Sequence, residues 1–213
     1  SAAKVAAGPH SKVLFIGLDA ADWQVMRPAM ANGSMPNLAR ALAQSANGDL
    51  LTIQPLTKSP VIWTTIATGK SPQKHGINDF LDGSIPTTSN QWQAKPVWDI
   101  LGSAGHTVGL FGWWVSWPAQ PVNGVLVSDY IGYGRGPTEH GVQDLVYPPS
   151  ALKTVAPMVV SSASVTNKDL RQFLGADPDS MRLPSEAQNL LEELRWIVAA
   201  DRSFVAVANS YAN

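Results

Sequence analysis

Ser59 has the surroundings expected of a nucleophile or an anion-binding hydroxyl. It is followed by Pro60 and by the helix-like run Val61 to Thr68, with Gly69 next. Because Ser is favoured at the N-cap and Pro at the first helical residue, this pattern predicts a helix capped by Ser59. The positive end of a helix dipole stabilises an alkoxide and a phosphoryl oxyanion. Most N-caps do no chemistry, so capping alone is the leading interpretation of this local pattern.

Asp19 strengthens the chemical interpretation. It follows Lys12 to Leu18, a short apolar run of the kind that forms a strand buried on both faces of a parallel sheet. The carboxyl end of such a strand opens onto the crevice where α/β sheets bind ligands. A carboxylate there suits a divalent cation, and a nearby cation lowers the pKa of a Ser hydroxyl. Asp22 directly precedes Trp23 to Met26, and we predict that it caps that turn of helix.

The elements that position these residues alternate between strand and helix. Apolar periodicity, Pro at helix starts and Gly after helix ends predict strands at 12–19, 49–56, 107–112, 125–128 and 203–209, and helices at 36–46, 60–69, 96–104 and 184–200. This alternation predicts an α/β fold with a doubly wound, mostly parallel sheet flanked by helices. Gly and Pro residues interrupt the pattern between about 131 and 183, so we predict a cap inserted over the sheet.

The predicted organisation has four parts. Residues 1–11 form a flexible leader, 12–130 the amino-terminal part of a catalytic domain, 131–183 the cap, and 184–213 a return to the catalytic domain. The small residues of the leader fit an export cleavage site and equally the design of an expressed chain. The compartment therefore stays open, with a periplasmic or secreted location slightly favoured over the cytoplasm.

Composition excludes several classes of function. Fifteen basic and 16 acidic residues, spread without a run, give no electrostatic footprint for a nucleic acid polymer or an anionic membrane. No apolar stretch is long enough for a membrane span. The absence of Cys excludes disulfides, Cys-ligated zinc and thiol nucleophiles. Oligomeric state is not predicted by any of these features.

Three linked motifs resemble a known enzyme family. They are Gly17-Leu18-Asp19-Ala20-Ala21-Asp22-Trp23, Met35-Pro36-Asn37-Leu38-Ala39-Arg40, and Ser59-Pro60-Val61-Ile62-Trp63-Thr64-Thr65-Ile66-Ala67-Thr68-Gly69-Lys70 closed by His75-Gly76-Ile77. In order and spacing they resemble the type I phosphodiesterase/nucleotide pyrophosphatase branch of the alkaline phosphatase superfamily. Trp113-Trp114, Trp117-Pro118 and the segment from Pro121 to Asp129 resemble bacterial members of that branch, so the resemblance covers about residues 12–150.

The resemblance implies an alkaline phosphatase-like fold and a hydrolase of small phosphoesters that uses two divalent metal ions, usually Zn²⁺. Asp19 matches the family's metal ligand at the end of the first strand. Ser59 matches the metal-bound Ser or Thr nucleophile, which implies a phosphoseryl intermediate that water hydrolyses. In such sites two ions about 3.5 to 4 Å apart neutralise the attacking and leaving oxygens of an in-line displacement.

Three further residues are candidates for substrate binding. Asn78 follows the His75 motif and could donate a hydrogen bond to a phosphoryl oxygen. Trp113 and Trp114 follow a predicted strand end, where an indole ring could stack on a nucleobase or a lipid head group. Core packing beneath the cap is the favoured alternative for both rings, and burial against the sheet is predicted for Trp63 and Trp98.

The sequence departs from the family pattern in its second half. The family's remaining Asp and His ligands begin just beyond a strand like 203–209 and have no counterpart before Asn213. The metal site is therefore expected to be incomplete, and the chain to be a truncated piece of a larger enzyme or a degenerate relative. His140 imitates a family ligand motif but follows Glu139 and is predicted to be a loop residue. His75 is predicted to order the loop after the nucleophile helix, and His10 and His106 to lie on the surface.

Alternatives to a phosphodiesterase remain. Sulfatases share the architecture, but Ser59-Pro60-Val61-Ile62 lacks the Pro and Arg placements that formylglycine formation needs, which argues against a sulfatase. Phosphomonoesterase, phosphonate hydrolase and metal-dependent mutase activities stay open, because the residues that would distinguish them fall in the cap and in the second half of the family pattern. A non-catalytic binding or interaction module is the alternative from a different class.

Overall fold

A computed structural model describes residues 12–55, 57–133, 142–174, 178 and 184–212. The predicted leader, residues 1–11, and His140 lie outside the described residues. The chain divides into two compact units, 1–51 and 52–213. In the described part of the chain, no helix is both long and apolar enough to cross a membrane.

Two short helices make up the regular structure described in the first unit. Helix α1 spans Trp23–Ala31 and helix α2 spans Pro36–Ala43. Asp22 caps α1 as predicted, because its Oδ1 accepts a hydrogen bond of 2.7 Å from the backbone N–H of Gln24. Pro36 begins α2 at the position that its fixed φ favours. Neither helix has a buried residue.

The strands predicted at 12–19 and 49–56 are not strands in this structure. Residues 12–18 and 46–53 have no regular secondary structure, and residue 56 is outside the described residues. Val13 is 91% exposed and Ile16 is 71% exposed. A strand buried on both faces needs hydrogen-bonded neighbours and a layer on each side. Neither run is paired with a strand here, and so the apolar sequence alone does not produce the element.

Helices at the start of the second unit match the sequence prediction closely. Helix α3 spans Ser59–Thr68, and a short helix, α4, spans Pro72–His75. Gly69 ends α3 in the left-handed conformation, with φ of 63°, which Gly adopts without a steric penalty. Helix α5 spans Val97–Ser103, within the predicted 96–104.

The sheet of the second unit is small and mixed. A separate hairpin pairs β1, Leu81–Asp82, with β2, Ile85–Pro86. Strand β3, Val108–Phe111, runs parallel to β4, Gly124–Val127, and β5, Val146–Tyr147, pairs antiparallel with β4. The described chain is therefore mixed α/β, as predicted, with one parallel strand pair. The doubly wound sheet is not seen, and β5 comes from the segment predicted to form the cap.

The carboxyl-terminal segment is one long helix, α8, Ser185–Ala212. Its first half confirms the helix predicted at 184–200, whereas the strand predicted at 203–209 is wrong. The buried residues Ala199, Ser203 and Val207 are spaced by four, which is a helical period. The Ser203 hydroxyl donates to the Ala199 carbonyl at 2.7 Å, as a helical Ser does. Short apolar runs such as 204–207 do not distinguish strand from helix, and here the preceding helix continues through them.

Between the sheet and α8 the chain forms short helical pieces. Helix α6 spans Leu152–Val155 and helix α7 spans Asn167–Leu174. Helix α7 packs on α8 through a cluster of Val165, Leu170, Val198 and Ala199. The largest cluster joins the sheet to α6 and α8 and consists of Trp117, Val127, Ile131, Leu145, Val146, Val155 and Val207.

Candidate active site

Ser59 lies in the first turn of α3, one residue further into the helix than predicted. The N-cap is Lys58, whose carbonyl accepts hydrogen bonds from the N–H groups of Val61 at 3.0 Å and Ile62 at 3.1 Å. Pro60 has no N–H, so the bonds that begin the helix come from the residues after it and end on Lys58. The prediction that Ser59 is the N-cap is therefore wrong. Ser59 still lies at the positive end of the α3 dipole, and its side chain is half-buried.

Lys58 joins the start of α3 to the segment after α4. Its ammonium forms an ion pair with Asp79 Oδ2, and both side chains are less than half exposed. The hydrogen bond from Lys58, followed by one from the Phe80 N–H, lowers the pKa of the Asp79 carboxyl below its usual range. Asn78 precedes Asp79 in the chain and donates to the Gly76 carbonyl at 3.3 Å. Asn78 is thus next to the residue that pairs with Lys58, and its contact with substrate remains a prediction.

His75 is buried and orders the chain after α3, as predicted. The Ile77 N–H donates to its Nδ1 at 3.1 Å, so the ring proton is on Nε2. Nε2 then donates to the Thr65 hydroxyl at 2.9 Å, and this hydroxyl donates to the Val61 carbonyl at 2.9 Å. Burial lowers the pKa of His75, which keeps the ring neutral at pH 7. Both nitrogens of the imidazole are therefore hydrogen-bonded, and the ring holds α4 against α3.

Trp113 and Trp114 pack on the two segments next to Ser59. Trp113 Nε1 donates to the Trp63 carbonyl on α3 at 3.2 Å, and the two rings meet edge to face at 5.3 Å. Trp114 meets Phe80 edge to face at 5.4 Å, and Phe80 follows Asp79. Both indoles are half-buried rather than fully enclosed. Of the two Trp residues predicted to be core, Trp98 is buried at 7% exposure, whereas Trp63 is half-buried.

Sequence reasoning missed the buried carboxylate of Asp129, which is 4% exposed. Its Oδ2 accepts from the Val115 N–H at 2.9 Å, and its Oδ1 accepts from the Trp117 N–H at 3.0 Å and lies 3.2 Å from the Ser116 hydroxyl. Burial raises its pKa to about 6, against the opposing effect of these hydrogen bonds. Its position directly after the Val127-Ser128 strand end was the available signal, because acids at strand ends often face a site.

The described donors do not complete a metal site. Asp19 belongs to the first unit, where it is exposed and its Oδ1 accepts from the Ala20 N–H at 3.1 Å. Ser59 and Asn78 belong to the second unit and are the chain neighbours of Lys58 and Asp79, which form the ion pair, and Trp114 of the same unit contacts Phe80. Among the described residues, no group of three or more His, Asp or Glu side chains could hold a metal ion.

Comparison with known proteins finds a family model that matches most of the chain. A family model described as type I phosphodiesterase/nucleotide pyrophosphatase matches residues 13–206. This range is wider than the motifs that suggested the resemblance, and it includes α3, the Trp113 to Trp117 segment and most of α8. No curated protein and no solved structure gives a significant match.

Proposed function

Because the chain belongs to the type I phosphodiesterase/nucleotide pyrophosphatase family, we propose that it hydrolyses small-molecule phosphodiesters with Ser59 as the nucleophile. The observation that carries the proposal is the place of Ser59 in the first turn of α3, inside the matched range and directly after Lys58. The positive end of the helix dipole favours negative charge at this position.

The proposed reaction has two steps. Ser59 Oγ attacks the phosphorus, the P–O bond to one ester group breaks, and that group leaves as an alcohol after gaining a proton. The resulting phosphoseryl ester is then attacked by water, which restores the Ser59 hydroxyl and releases the remaining monoester. In the proposed reaction Lys58 offsets charge on the phosphoryl oxygens, and Asn78 donates a hydrogen bond to one of them.

We also propose that the activity depends on divalent metal, with Asp19 and Ser59 among the ligands. A carboxylate and a hydroxyl are suitable oxygen donors for Zn²⁺. Two donors do not hold two ions, so the proposed site needs further ligands besides Asp19 and Ser59. The proposal is supported by the chemistry of the two donors and by the family of the chain.

The test uses the full-length natural protein, stripped with a chelator and reloaded with Zn²⁺. Bis-p-nitrophenyl phosphate and p-nitrophenyl phosphate are compared as substrates. We expect Zn²⁺-dependent hydrolysis with preference for the diester, and a loss of about 10³-fold or more in kcat for Ser59→Ala. Asp19→Asn should weaken the response to Zn²⁺. Ser45→Ala and Asp49→Asn change exposed residues of the same types and serve as matched controls.

The possible outcomes separate the alternatives. Activity that survives both Ser59→Ala and Asp19→Asn would show that the site assignment is wrong. Preference for the monoester would indicate a phosphomonoesterase of the same superfamily. A wild-type protein without turnover on either ester, with or without Zn²⁺, would favour a non-catalytic binding module. Mass spectrometry of acid-quenched reactions should find the phosphoryl group on the peptide that contains Ser59.

A further inference from the structure

Residues 113–117, here called the Trp loop, connect β3 to the segment before β4 in a strained conformation. Val115 has a φ of 62°, in the left-handed region. A β-branched residue is rarely found there, because its side chain clashes with its own backbone. Val115 is also buried, at 3% exposure. Such a conformation persists only where surrounding contacts hold it.

The Asp129 carboxylate supplies these contacts. It accepts the N–H groups on both sides of Ser116, from Val115 at 2.9 Å and from Trp117 at 3.0 Å. The Ser116 hydroxyl accepts from the Asp129 N–H at 3.1 Å and donates to the Trp113 carbonyl at 2.5 Å. One buried acid therefore fixes the backbone of three consecutive residues and, through Ser116, the carbonyl of a fourth.

The Trp loop contains Trp113 and Trp114, whose rings contact the two segments next to Ser59. Trp113 contacts Trp63, which is one helical turn after Ser59 on α3. Trp114 contacts Phe80, whose neighbour Asp79 pairs with Lys58. The conformation of a single loop thus determines the position of both half-buried indoles.

We propose that Asp129 is a positioning residue for substrate specificity. By fixing the Trp loop it sets Trp113 and Trp114 as a rigid aromatic surface for a planar or apolar ester group of the substrate. The inference rests on the proposed function for its substrate, whereas the holding of the loop by Asp129 is independent of any activity. Removing the carboxylate leaves two buried N–H donors, those of Val115 and Trp117, without their acceptor, so the loop relaxes and the aromatic surface is lost.

The groups around Asp129 allow its ionisation to be distinguished from that of other residues. Burial is the largest influence on the pKa of Asp129, and hydrogen bonds from Val115, Ser116, Trp117 and its own backbone N–H oppose it, with no Lys, Arg or His among these groups. Tyr130 is the neighbouring ionisable group, and burial and then the Asp129 carboxylate raise its pKa. A pH-dependent change between pH 5 and 8 that the wild type shows and Asp129→Asn lacks therefore reports the ionisation of Asp129.

The first test compares Asp129→Asn with Asp49→Asn, which changes an exposed Asp of the first unit. For bis-p-nitrophenyl phosphate we expect KM to rise about 3- to 10-fold in Asp129→Asn, the loss of one or two aromatic contacts. The kcat should change much less, and KM for methyl p-nitrophenyl phosphate should rise less than KM for the diaryl ester. Trp114→Ala should give the same pattern, and the double variant should be no worse than either single variant.

A second test needs no activity. Near-ultraviolet circular dichroism and acrylamide quenching of Trp emission should show a looser Trp environment in Asp129→Asn at pH 7, with far-ultraviolet circular dichroism unchanged. Ser116→Ala is a milder variant that removes only the Ser116 hydroxyl, for use if Asp129→Asn does not fold.

Unchanged near-ultraviolet spectra in both variants would overturn the proposal. So would equal losses of kcat on both esters, because they indicate a general structural role. If the wild type hydrolyses no ester, the proposed function fails, and the spectra still decide whether Asp129 holds the loop.

Discussion

Burial shifts the pKa values of two ionisable residues near the candidate site in opposite directions. Asp129 is a carboxylate whose pKa burial raises to about 6, and His75 is an imidazole whose pKa burial lowers. Both environments favour the neutral form, and both side chains hold chain segments that pack around α3. At pH 7 His75 is neutral, whereas Asp129 is ionised at the expense of stability. The structure near Ser59 should therefore respond to pH through these two residues.

Asp129 should make the folded chain more stable in mild acid than at neutral pH. Its folded pKa of about 6 exceeds the ordinary 3.8, so the folded state binds a proton more tightly than the unfolded state. The contribution is fully present below about pH 4 and is lost as pH rises to about 6, by about 3 kcal/mol in total. Urea unfolding of wild type and Asp129→Asn at several pH values checks this. The free-energy difference between them should shift against the wild type between pH 4 and 6.5, and a constant difference would contradict the prediction.

His75 should have the opposite pH dependence. Its folded pKa is below 6.5, so the unfolded state binds the proton more tightly, and stability is lost as pH falls below 6.5. Thr65→Val leaves the buried Nε2–H without an acceptor and should cost about 1 to 3 kcal/mol. Thr64→Val is the matched control, because the Thr64 hydroxyl donates to the carbonyl four residues earlier, as the Thr65 hydroxyl does, but does not bond to His75. Equal losses from the two variants would argue against the importance of the His75 bond.

At the scale of elements, the parallel pair of β3 and β4 depends on one Gly. Gly124 has a φ of 145°, and a Cβ at this position would lie 1.9 Å from the carbonyl oxygen of Val108, its partner in the register. A backbone oxygen of the neighbouring strand cannot move aside without breaking the ladder. Gly124→Ala should therefore cost about 3 kcal/mol or more, in contrast to Gly48→Ala, where a Cβ meets nothing within 4 Å. Thermal unfolding of the two variants measures the difference, and similar melting temperatures would contradict the register.

The elements that the sequence predicts well are the helices whose ends are marked by nearby Pro and Gly residues. Helices α3 and α5 have a Pro at or just before their start and a Gly shortly after their end, and both are found within two residues of the prediction. The segments 12–19 and 203–209 are apolar runs without such signals. Whether they become strand, helix or neither depends on partners far along the chain, which a local pattern does not contain.

The same distinction explains what was found of the candidate site. The position of Ser59 at the start of α3 and the ordering role of His75 follow from short motifs, and the bonds of His75 to Thr65 and Ile77 span only 10 and 2 residues of the chain. The role of Asp129 does not, because its donors belong to a loop 12 to 14 residues earlier, and only the fold brings them to its carboxylate. The sequence shows a carboxylate after a predicted strand, but it does not show which buried N–H groups donate to that carboxylate.

For the whole molecule, the distribution of buried apolar residues predicts where the chain is protected from solvent exchange. The buried apolar side chains of the described residues begin at Pro60, and all belong to the unit 52–213. In residues 13–18 the side chains are more than half exposed where they are large and apolar, and no strand pairs with them. Amide hydrogen exchange measured by mass spectrometry should therefore be fast for peptides covering 13–18. It should be slow for β3 and β4, whose amides are bonded in a ladder under a packed layer. Protection of 13–18 equal to that of β3 would contradict this structure and would instead support the buried first strand that the sequence predicts, with Asp19 at its end.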